Sequence, residues 1–370
     1  MPIAALTLLL VVPKYLVHAG MIKMPASLSL AYNFSLGLLI PVCIWLAFTG
    51  GPTWARHRKF RWYEMTAIGS FLLLTTALSV QVNAKNEYTY RQRNFYGAVA
   101  VYAHWDVDMI HVAYEFMHAR TIHGIQLTEN RKQPASYYGE GSGARLALLT
   151  NPQRGAGPMR VGAIGLGIGT IAAYARPGDV YRFYEINPEV IDLAQGKKGY
   201  FSYLQDSAGR IQIAPGDASF VVRSRSSDLQ NFDILFVDAF SGDSIPVHLL
   251  TKEAMALYLS HLRGPDSVIV VNVTNRAIDI SSVVAGLAQK YGLKATLIDA
   301  PNRSGIFLRS DFVLLTRGKS LDVPEIQKVG YPMRLDRQVP ESRIWTDDYS
   351  NVIRLLVNPF GKSGLRQSGR

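Results

Sequence analysis

Val161-Gly-Ala-Ile-Gly-Leu-Gly-Ile-Gly-Thr170 is the stretch that decides the fold, because an apolar strand runs directly into a glycine-rich loop that opens a helix. The next apolar strand, residues 180–186, carries Glu185 near its end. Glycines let a backbone turn tightly and approach a ligand, and an acid at the end of the following strand can accept hydrogen bonds from ribose hydroxyls. The stretch therefore predicts a nucleotide or nucleoside site that includes Gly165, Gly167 and Gly169.

Apolar runs alternate with helical patterns over the rest of the core, which is typical of a parallel, doubly wound α/β sheet. The runs are residues 159–166, 180–186, 211–215 and 232–237, with further strands at 267–273, 295–298 and 311–316, for about seven in all. Ligands bind at the carboxyl ends of the strands in such a sheet. Glu185, Asp217 and Asp238, which each end a strand, are therefore expected at one rim with the glycine loop.

Further motifs occur in a fixed order around this core. They are Thr121-Ile-His-Gly-Ile-Gln126, Pro134-Ala-Ser-Tyr-Tyr-Gly139, Asp238-Ala-Phe-Ser-Gly-Asp243-Ser-Ile-Pro246 and Trp345-Thr-Asp-Asp-Tyr-Ser-Asn351. Together with the glycine loop they resemble the spermidine synthase family of polyamine aminopropyltransferases, and its membrane-embedded fused branch in particular. The resemblance covers residues 94–351. It implies a Rossmann-like, S-adenosylmethionine-dependent transferase fold.

The resemblance also implies a reaction, aminopropyl transfer from decarboxylated S-adenosylmethionine to a polyamine such as putrescine. Asp238 would hold and help to deprotonate the attacking amine, with Asp243 as a second anionic contact. Glu185 would bind the ribose hydroxyls and Asp217 the adenine amino group. The other residues assigned to the site are Gln126, which would contribute to nucleoside and polyamine binding, and Tyr137, Tyr138, Asp347 and Asp348, which would bind the polyamine.

One position departs from the family pattern. The family's loop carries an aspartate that contacts the amino group of the aminopropyl chain, and Ile168 stands there in this chain. Losing a carboxylate that pairs with a cationic amine weakens binding by roughly one to a few kcal/mol. Either Asp347 or Asp348 folds back to replace it, or the substrate differs. The alternatives are methyl transfer from ordinary S-adenosylmethionine and a non-catalytic structural subunit of a membrane complex.

The N-terminal residues 1–84 are apolar enough to predict a transmembrane region of two to three helices. The candidate spans are residues 2–22, 27–48 and 65–82. Basic residues flank both ends of the spans equally, so their distribution does not set an orientation. Because S-adenosyl compounds are cytosolic, the resemblance favours a multi-pass inner-membrane protein with its catalytic domain in the cytoplasm. The expected partners are the lipid bilayer and either further membrane subunits or copies of the chain.

The remaining sequence divides into three predicted parts. Residues 85–150 form a small β-hairpin subdomain with arms at 95–102 and 111–117, residues 151–330 form the Rossmann-like nucleoside-binding domain, and residues 331–370 carry the Thr-Asp-Asp-Tyr element and a mobile tail. The net charge of +11 is not accompanied by a basic helix or an aromatic-interleaved basic strand, so no nucleic-acid partner is predicted. The four histidines between 104 and 123 alternate between strand faces, so no metal is predicted.

Overall fold

The computed structural model describes residues 88–105, 111–119, 121–216, 229–239, 247–275, 278–301, 306–333, 344–352 and 355. The chain divides into two units, Met1–Glu87 and Tyr88–Arg370, and every described residue belongs to the second. Asp217, Asp243 and the three predicted membrane spans lie outside the described residues.

A four-stranded antiparallel sheet opens the described part. Its strands are β1 (Tyr88–Asn94), β2 (Gly97–Trp105), β3 (His111–His118) and β4 (Thr121–Leu127), in that spatial order. The predicted hairpin arms correspond to β2 and β3, which pair antiparallel with Val101 opposite Phe116. The sequence analysis did not predict strand β1, because Tyr-Thr-Tyr-Arg-Gln-Arg-Asn does not alternate apolar and polar residues. Strand β1 lies at the edge of its sheet, and edge strands often carry polar and charged side chains.

The larger part of the fold alternates strands with helices. Along the chain it contains a 3₁₀ turn at Ser136–Tyr138, α1 (Gly143–Thr150), α2 (Pro152–Ala156), β5 (Arg160–Ile164), a 3₁₀ turn at Thr170–Tyr174, β6 (Val180–Glu185), α3 (Pro188–Ala194), β7 (Arg210–Pro215), β8 (Ile234–Val237), a 3₁₀ turn at Val247–Leu250, α4 (Lys252–Ser260), β9 (Val268–Asn272), α5 (Ser281–Lys290), β10 (Lys294–Ala300), β11 (Ser310–Thr316), α6 (Pro324–Gln327) and β12 (Gly330–Pro332).

These strands form one eight-stranded sheet in the order β12-β10-β11-β9-β8-β5-β6-β7. Strands β5 to β9 are parallel to their neighbours in that set, and β10, β11 and β12 pair antiparallel. From β5 the chain builds outwards to β6 and β7 on one side, and later to β8 and β9 on the other. Such a reversal leaves a crevice at the carboxyl ends of the central strands, where ligands of open α/β sheets bind.

Apolar layers on both faces hold this sheet together. Along β8, Ile234 and Phe236 pack into one layer, while Leu235 and Val237 pack into the other. All five residues of β9 are buried. Fully burying one such side chain stabilises the fold by about 1.5–3 kcal/mol, so the central strands form a rigid platform beneath the crevice.

The predicted N-terminal transmembrane helices require a correction. The longest described helix, α5, has 10 residues, whereas spanning a bilayer takes about 20 apolar residues. Among the residues that the structure describes, no helix combines the length and the apolar character needed to cross a membrane. The fold class is therefore corrected to the α/β domain with its preceding β-sheet, and neither the inner-membrane location nor the lipid contact is retained.

Candidate active site

A cavity of about 360 Å³ opens at the carboxyl ends of β5, β6 and β8. The glycine loop after β5, the end of β6 and the end of β8 form one side of its wall. The turn at Ser136–Tyr138 and the N-terminal sheet contribute the rest, the latter through Phe116, His118 and His123. The cavity therefore lies between the two sheets, at the rim of the larger sheet where the sequence predicts the ligand.

Gly165 lets the glycine loop lie directly against the end of β8. Its φ is 94°, and a Cβ atom added there would lie 2.3 Å from the Asp238 carbonyl oxygen. Hydrogen bonds fix the backbone on both sides of this contact: Gly165 N donates to the Tyr184 oxygen, and Asp238 N donates to the Ile164 oxygen, each at 2.9 Å. A side chain at position 165 would therefore separate the two halves of the rim.

Glu185 ends β6 with its carboxylate fixed by backbone donors. Leu166 N donates to Oε2 at 3.1 Å, and Asn187 N donates to Oε1 at 2.8 Å. Burial raises the pKa of Glu185, and these backbone hydrogen bonds oppose the rise. Each carboxylate oxygen can accept more than one hydrogen bond. Glu185 lines the cavity, so the geometry suits a ligand that offers hydroxyl donors.

Asp238 follows β8 and is held by side chains instead. The Tyr138 hydroxyl donates to Oδ2, and Asn272 Nδ2 donates to Oδ1 at 2.8 Å. Burial raises the pKa of Asp238 to about 7, although hydrogen bonds from Tyr138, Asn272 and Tyr137 lower it. A carboxyl group that titrates near neutrality can take up and release a proton at physiological pH, as general base catalysis requires.

Asn272 was missed by the sequence analysis although it completes the Asp238 site. Its Oδ1 accepts a hydrogen bond from Thr274 N at 2.9 Å, which turns the amide nitrogen towards Asp238. Asn272 is the last residue of the buried strand Val-Ile-Val-Val-Asn. Glu185 and Asp238 were predicted from a polar residue at the carboxyl end of an apolar strand. Asn272 shows the same pattern, but it was not included in the prediction.

Tyr137 and Tyr138 both line the cavity because the segment is a 3₁₀ turn. In an extended segment, adjacent side chains would point to opposite sides. The two rings lie 4.6 Å apart between centroids, and the Tyr174 hydroxyl donates to the Tyr138 carbonyl oxygen at 2.7 Å. Burial and then the charge of Asp238 raise the pKa of both hydroxyls well above the usual value. Both tyrosines therefore remain neutral donors beside Asp238.

Gln126 does not reach the cavity. Its Nε2 donates to the Arg131 oxygen at 2.8 Å and to Ser202 Oγ at 3.0 Å, and its Oε1 accepts from Ser202 N at 2.8 Å. The side chain is buried and joins β4 to the segment after α3. Gly169 is also absent from the cavity wall, since its backbone packs against Leu204.

Asp347 and Asp348 likewise lie away from the cavity. Asp347 Oδ1 accepts a hydrogen bond from Thr251 Oγ1 at 2.8 Å, and Thr251 is the residue that caps α4. Both aspartates are exposed and neither lines the cavity wall. The structure therefore does not place either of them as a substitute for the missing loop carboxylate.

The packing of Ile168 accounts for an apolar residue at this position of the glycine loop. The side chain is 1% exposed and is not part of the cavity wall. It packs on β4, where a Cβ atom added to Gly124 would lie 2.5 Å from Ile168 Cγ1. Position 168 thus joins the glycine loop to the N-terminal sheet. An aspartate there would be buried among apolar groups, at a large cost in desolvation.

Comparison with known proteins gives one curated relative of interest. A polyamine aminopropyltransferase from Vibrio vulnificus (strain CMCP6) is 28% identical over 315 residues, which cover 80% of this chain and 96% of the relative. No family model matches.

Solved structures with a similar fold are more distant. A probable spermidine synthase from Corynebacterium glutamicum ATCC 13032 is 16% identical, with a TM-score of 0.47 over 65% of this chain and 85% of that one. Human methyltransferase-like protein 13 in complex with SAH is 22% identical, with a TM-score of 0.36 over 50% of this chain and 84% of that one.

Proposed function

We propose that this chain, a relative of the spermidine synthase family, transfers the aminopropyl group of decarboxylated S-adenosylmethionine to a polyamine such as putrescine. The match to the curated aminopropyltransferase confirms the predicted resemblance to that family and the prediction of a transferase enzyme. The donor, the acceptor and the residue roles are the proposal.

The observation that carries the proposal is the Asp238 site and its position relative to Glu185. Strand β5 separates β6 from β8, and neighbouring strands lie about 4.8 Å apart, so the two acids end strands roughly 10 Å apart. That separation suits a nucleoside whose ribose binds Glu185 while its 5′ substituent points towards Asp238. The glycine loop lies between them and leaves room for the ligand.

The chemistry requires an amine with a free electron pair. Alkyl ammonium groups titrate near pH 10, so the acceptor arrives protonated at neutral pH. An ionised Asp238 would attract the ammonium group and take up its proton. The amine nitrogen then forms a bond to the aminopropyl carbon next to the sulfonium. The carbon–sulfur bond breaks, and sulfur keeps the electron pair as the neutral thioether of methylthioadenosine.

The surrounding groups support this step. Tyr138 and Asn272 hold the Asp238 carboxylate, and Tyr137 adds a neutral donor and an aromatic wall for the methylene chain of the acceptor. Asp217 and Asp243 keep their proposed contacts to the adenine amino group and to the polyamine. Both lie outside the described residues.

Methyl transfer from ordinary S-adenosylmethionine is the second candidate function. It is favoured by Ile168, which leaves the glycine loop without a carboxylate for the amino group of the aminopropyl chain. Among the described residues of the cavity wall, the carboxylates are Glu185 and Asp238. A methyl donor needs no additional acid at that position.

Product analysis distinguishes the two reactions. Purified protein would be incubated with either donor and with putrescine, cadaverine or spermidine, and the products identified by mass spectrometry. Aminopropyl transfer yields methylthioadenosine and an amine extended by one aminopropyl group, whereas methyl transfer yields S-adenosylhomocysteine. The proposal fails if the decarboxylated donor gives no extended amine while ordinary S-adenosylmethionine is consumed.

A further inference from the structure

The turn between β1 and β2 places two aromatic residues at the cavity. Phe95 and Tyr96 are the two turn residues, and both line the cavity wall. Phe95 is nevertheless 95% exposed. Two-residue hairpin turns favour asparagine, aspartate and glycine, so the turn itself gives no reason for phenylalanine. Phe95 shares the cavity wall with a second exposed apolar side chain, Ile186, and exposed apolar surface grouped at a cavity is typical of a ligand-binding site.

Hydrogen bonds of Asn94 hold this turn beside Glu185. Asn94 Oδ1 accepts from Tyr96 N at 2.9 Å, and Asn94 Nδ2 donates to Asn187 Oδ1 at 2.6 Å. Asn187 N in turn donates to Glu185 Oε1 at 2.8 Å. Through Asn187, the turn is therefore connected to the acid that we assign to the ribose.

Asn187 adds an independent observation. It lines the cavity and is 2% exposed. Its Oδ1 also accepts from Glu189 N at 3.0 Å, so the backbone of α3 fixes which side of the amide is oxygen. The Nδ2 atom is buried and has no hydrogen-bond partner among the described residues. A buried donor without a partner is unfavourable, and an acceptor atom on a bound ligand would satisfy it.

We infer that the β1–β2 turn is part of the nucleoside site, with Phe95 covering the ligand held by Glu185 and Asn187 donating a hydrogen bond to it. The planar purine of a nucleoside fits this role, because an aromatic side chain stacks on any flat ring. Ile186 is a second exposed apolar side chain in the cavity wall, at 42% exposure. A purine that contacts Phe95 and Ile186 removes both from water. The inference rests on the proposed nucleoside binding but not on the transfer reaction.

Calorimetry with methylthioadenosine tests directly whether Phe95 covers the nucleoside, a contact called the cover below. Phe95→Ala is expected to weaken binding about tenfold, since loss of one base–aromatic contact has an effect of that order. Phe95→Tyr keeps the ring and should bind like the wild type. Tyr331→Ala is the matched control, because Tyr331 is an aromatic residue on β12, 58% exposed and outside the cavity wall. Thermal unfolding of each variant checks that the domain remains intact.

The results separate this inference from the proposed function. Unchanged affinity in Phe95→Ala overturns the cover, as does an equal loss in Tyr331→Ala. Asn187→Leu should also weaken binding of methylthioadenosine. If this variant binds with wild-type affinity, Asn187 does not donate a hydrogen bond to the ligand. Wild-type protein that binds methylthioadenosine but transfers no aminopropyl group overturns the reaction and leaves the cover standing. Wild-type protein that binds no nucleoside overturns both.

Discussion

Glu185 and Asp238 are half-buried carboxylates in the wall of one cavity, but different kinds of donor hold them. Backbone N–H groups of the glycine loop and of Asn187 fix Glu185, whereas the side chains of Tyr138 and Asn272 hold Asp238. Backbone donors are built into the fold and keep a carboxylate in place for binding. Burial raises the pKa of Asp238 to about 7, and the side-chain donors keep it from rising further. The contrast is consistent with the proposal, in which the β6 end would bind the nucleoside and the β8 end would perform the chemistry.

Asp238→Asn is the strongest test of this division. The substitution keeps the shape but removes the charge and the base, so we expect kcat to fall on the order of 10² or more. Affinity for methylthioadenosine should change much less, because the proposal places the ligand's ribose at Glu185. Steady-state kinetics and calorimetry on the same preparation provide the comparison. An Asn variant as active as the wild type would remove Asp238 from the catalytic role.

Glu185→Gln should show the opposite pattern. Replacing the carboxylate weakens its charge-assisted hydrogen bonds to the ribose hydroxyls, and we expect nucleoside binding to weaken by about 1–3 kcal/mol. With saturating donor, kcat should stay close to that of the wild type. Calorimetry with methylthioadenosine measures the first effect and donor saturation curves the second. Full affinity in the variant would place the ribose elsewhere.

Asn272→Ala addresses how the Asp238 site is tuned. In the proposed mechanism the active form of Asp238 is ionised, so activity should fall as the pH drops below the pKa of about 7. Asn272 lowers that pKa by donating to the carboxylate, so its loss should move the acidic limb of the pH–rate profile upwards by about one pH unit. Tyr138→Phe should shift the limb in the same direction. A lower kcat with an unmoved limb would mean that Asn272 has only a structural role.

The sequence predicted the parts of this site that depend on strand order alone. Glu185 and Asp238 end apolar strands, and the parallel alternation was enough to bring both to one rim with Gly165. Asn272 follows the same rule but has no counterpart among the quoted motifs. Asn187 and Phe95 could not be found in this way, because their significance depends on a contact between segments that are more than ninety residues apart in the chain.

Motif resemblance was less reliable where tertiary contacts decide a side chain's use. Gln126 is hydrogen-bonded to Arg131 and Ser202, and Asp347 accepts a hydrogen bond from Thr251. Ile168 stands at a motif position yet faces β4 rather than the cavity. Tertiary contacts determine all three outcomes, and a linear pattern contains no information about those contacts. The apolar segments before residue 88 gave a prediction that the described helices do not support.

The smallest expected effect concerns stability, where Asp238 should act against the fold. Its pKa is about 7 in the folded protein and 3.8 in its ordinary state, because burial disfavours the charge. Between these values the folded protein binds a proton that the unfolded chain releases, so stability falls as the pH rises from about 4 to about 7.

Asp238→Asn removes this penalty. Because the cavity is open to solvent, we expect the variant to gain about 1 kcal/mol more at pH 8 than at pH 5, relative to the wild type. Denaturant unfolding at the two pH values measures the difference, with Glu185→Gln as the comparison. If Asp238→Asn changes the free energy of unfolding equally at both pH values, burial does not raise the proton affinity of Asp238, and its proposed role as the base loses the near-neutral pKa on which it depends.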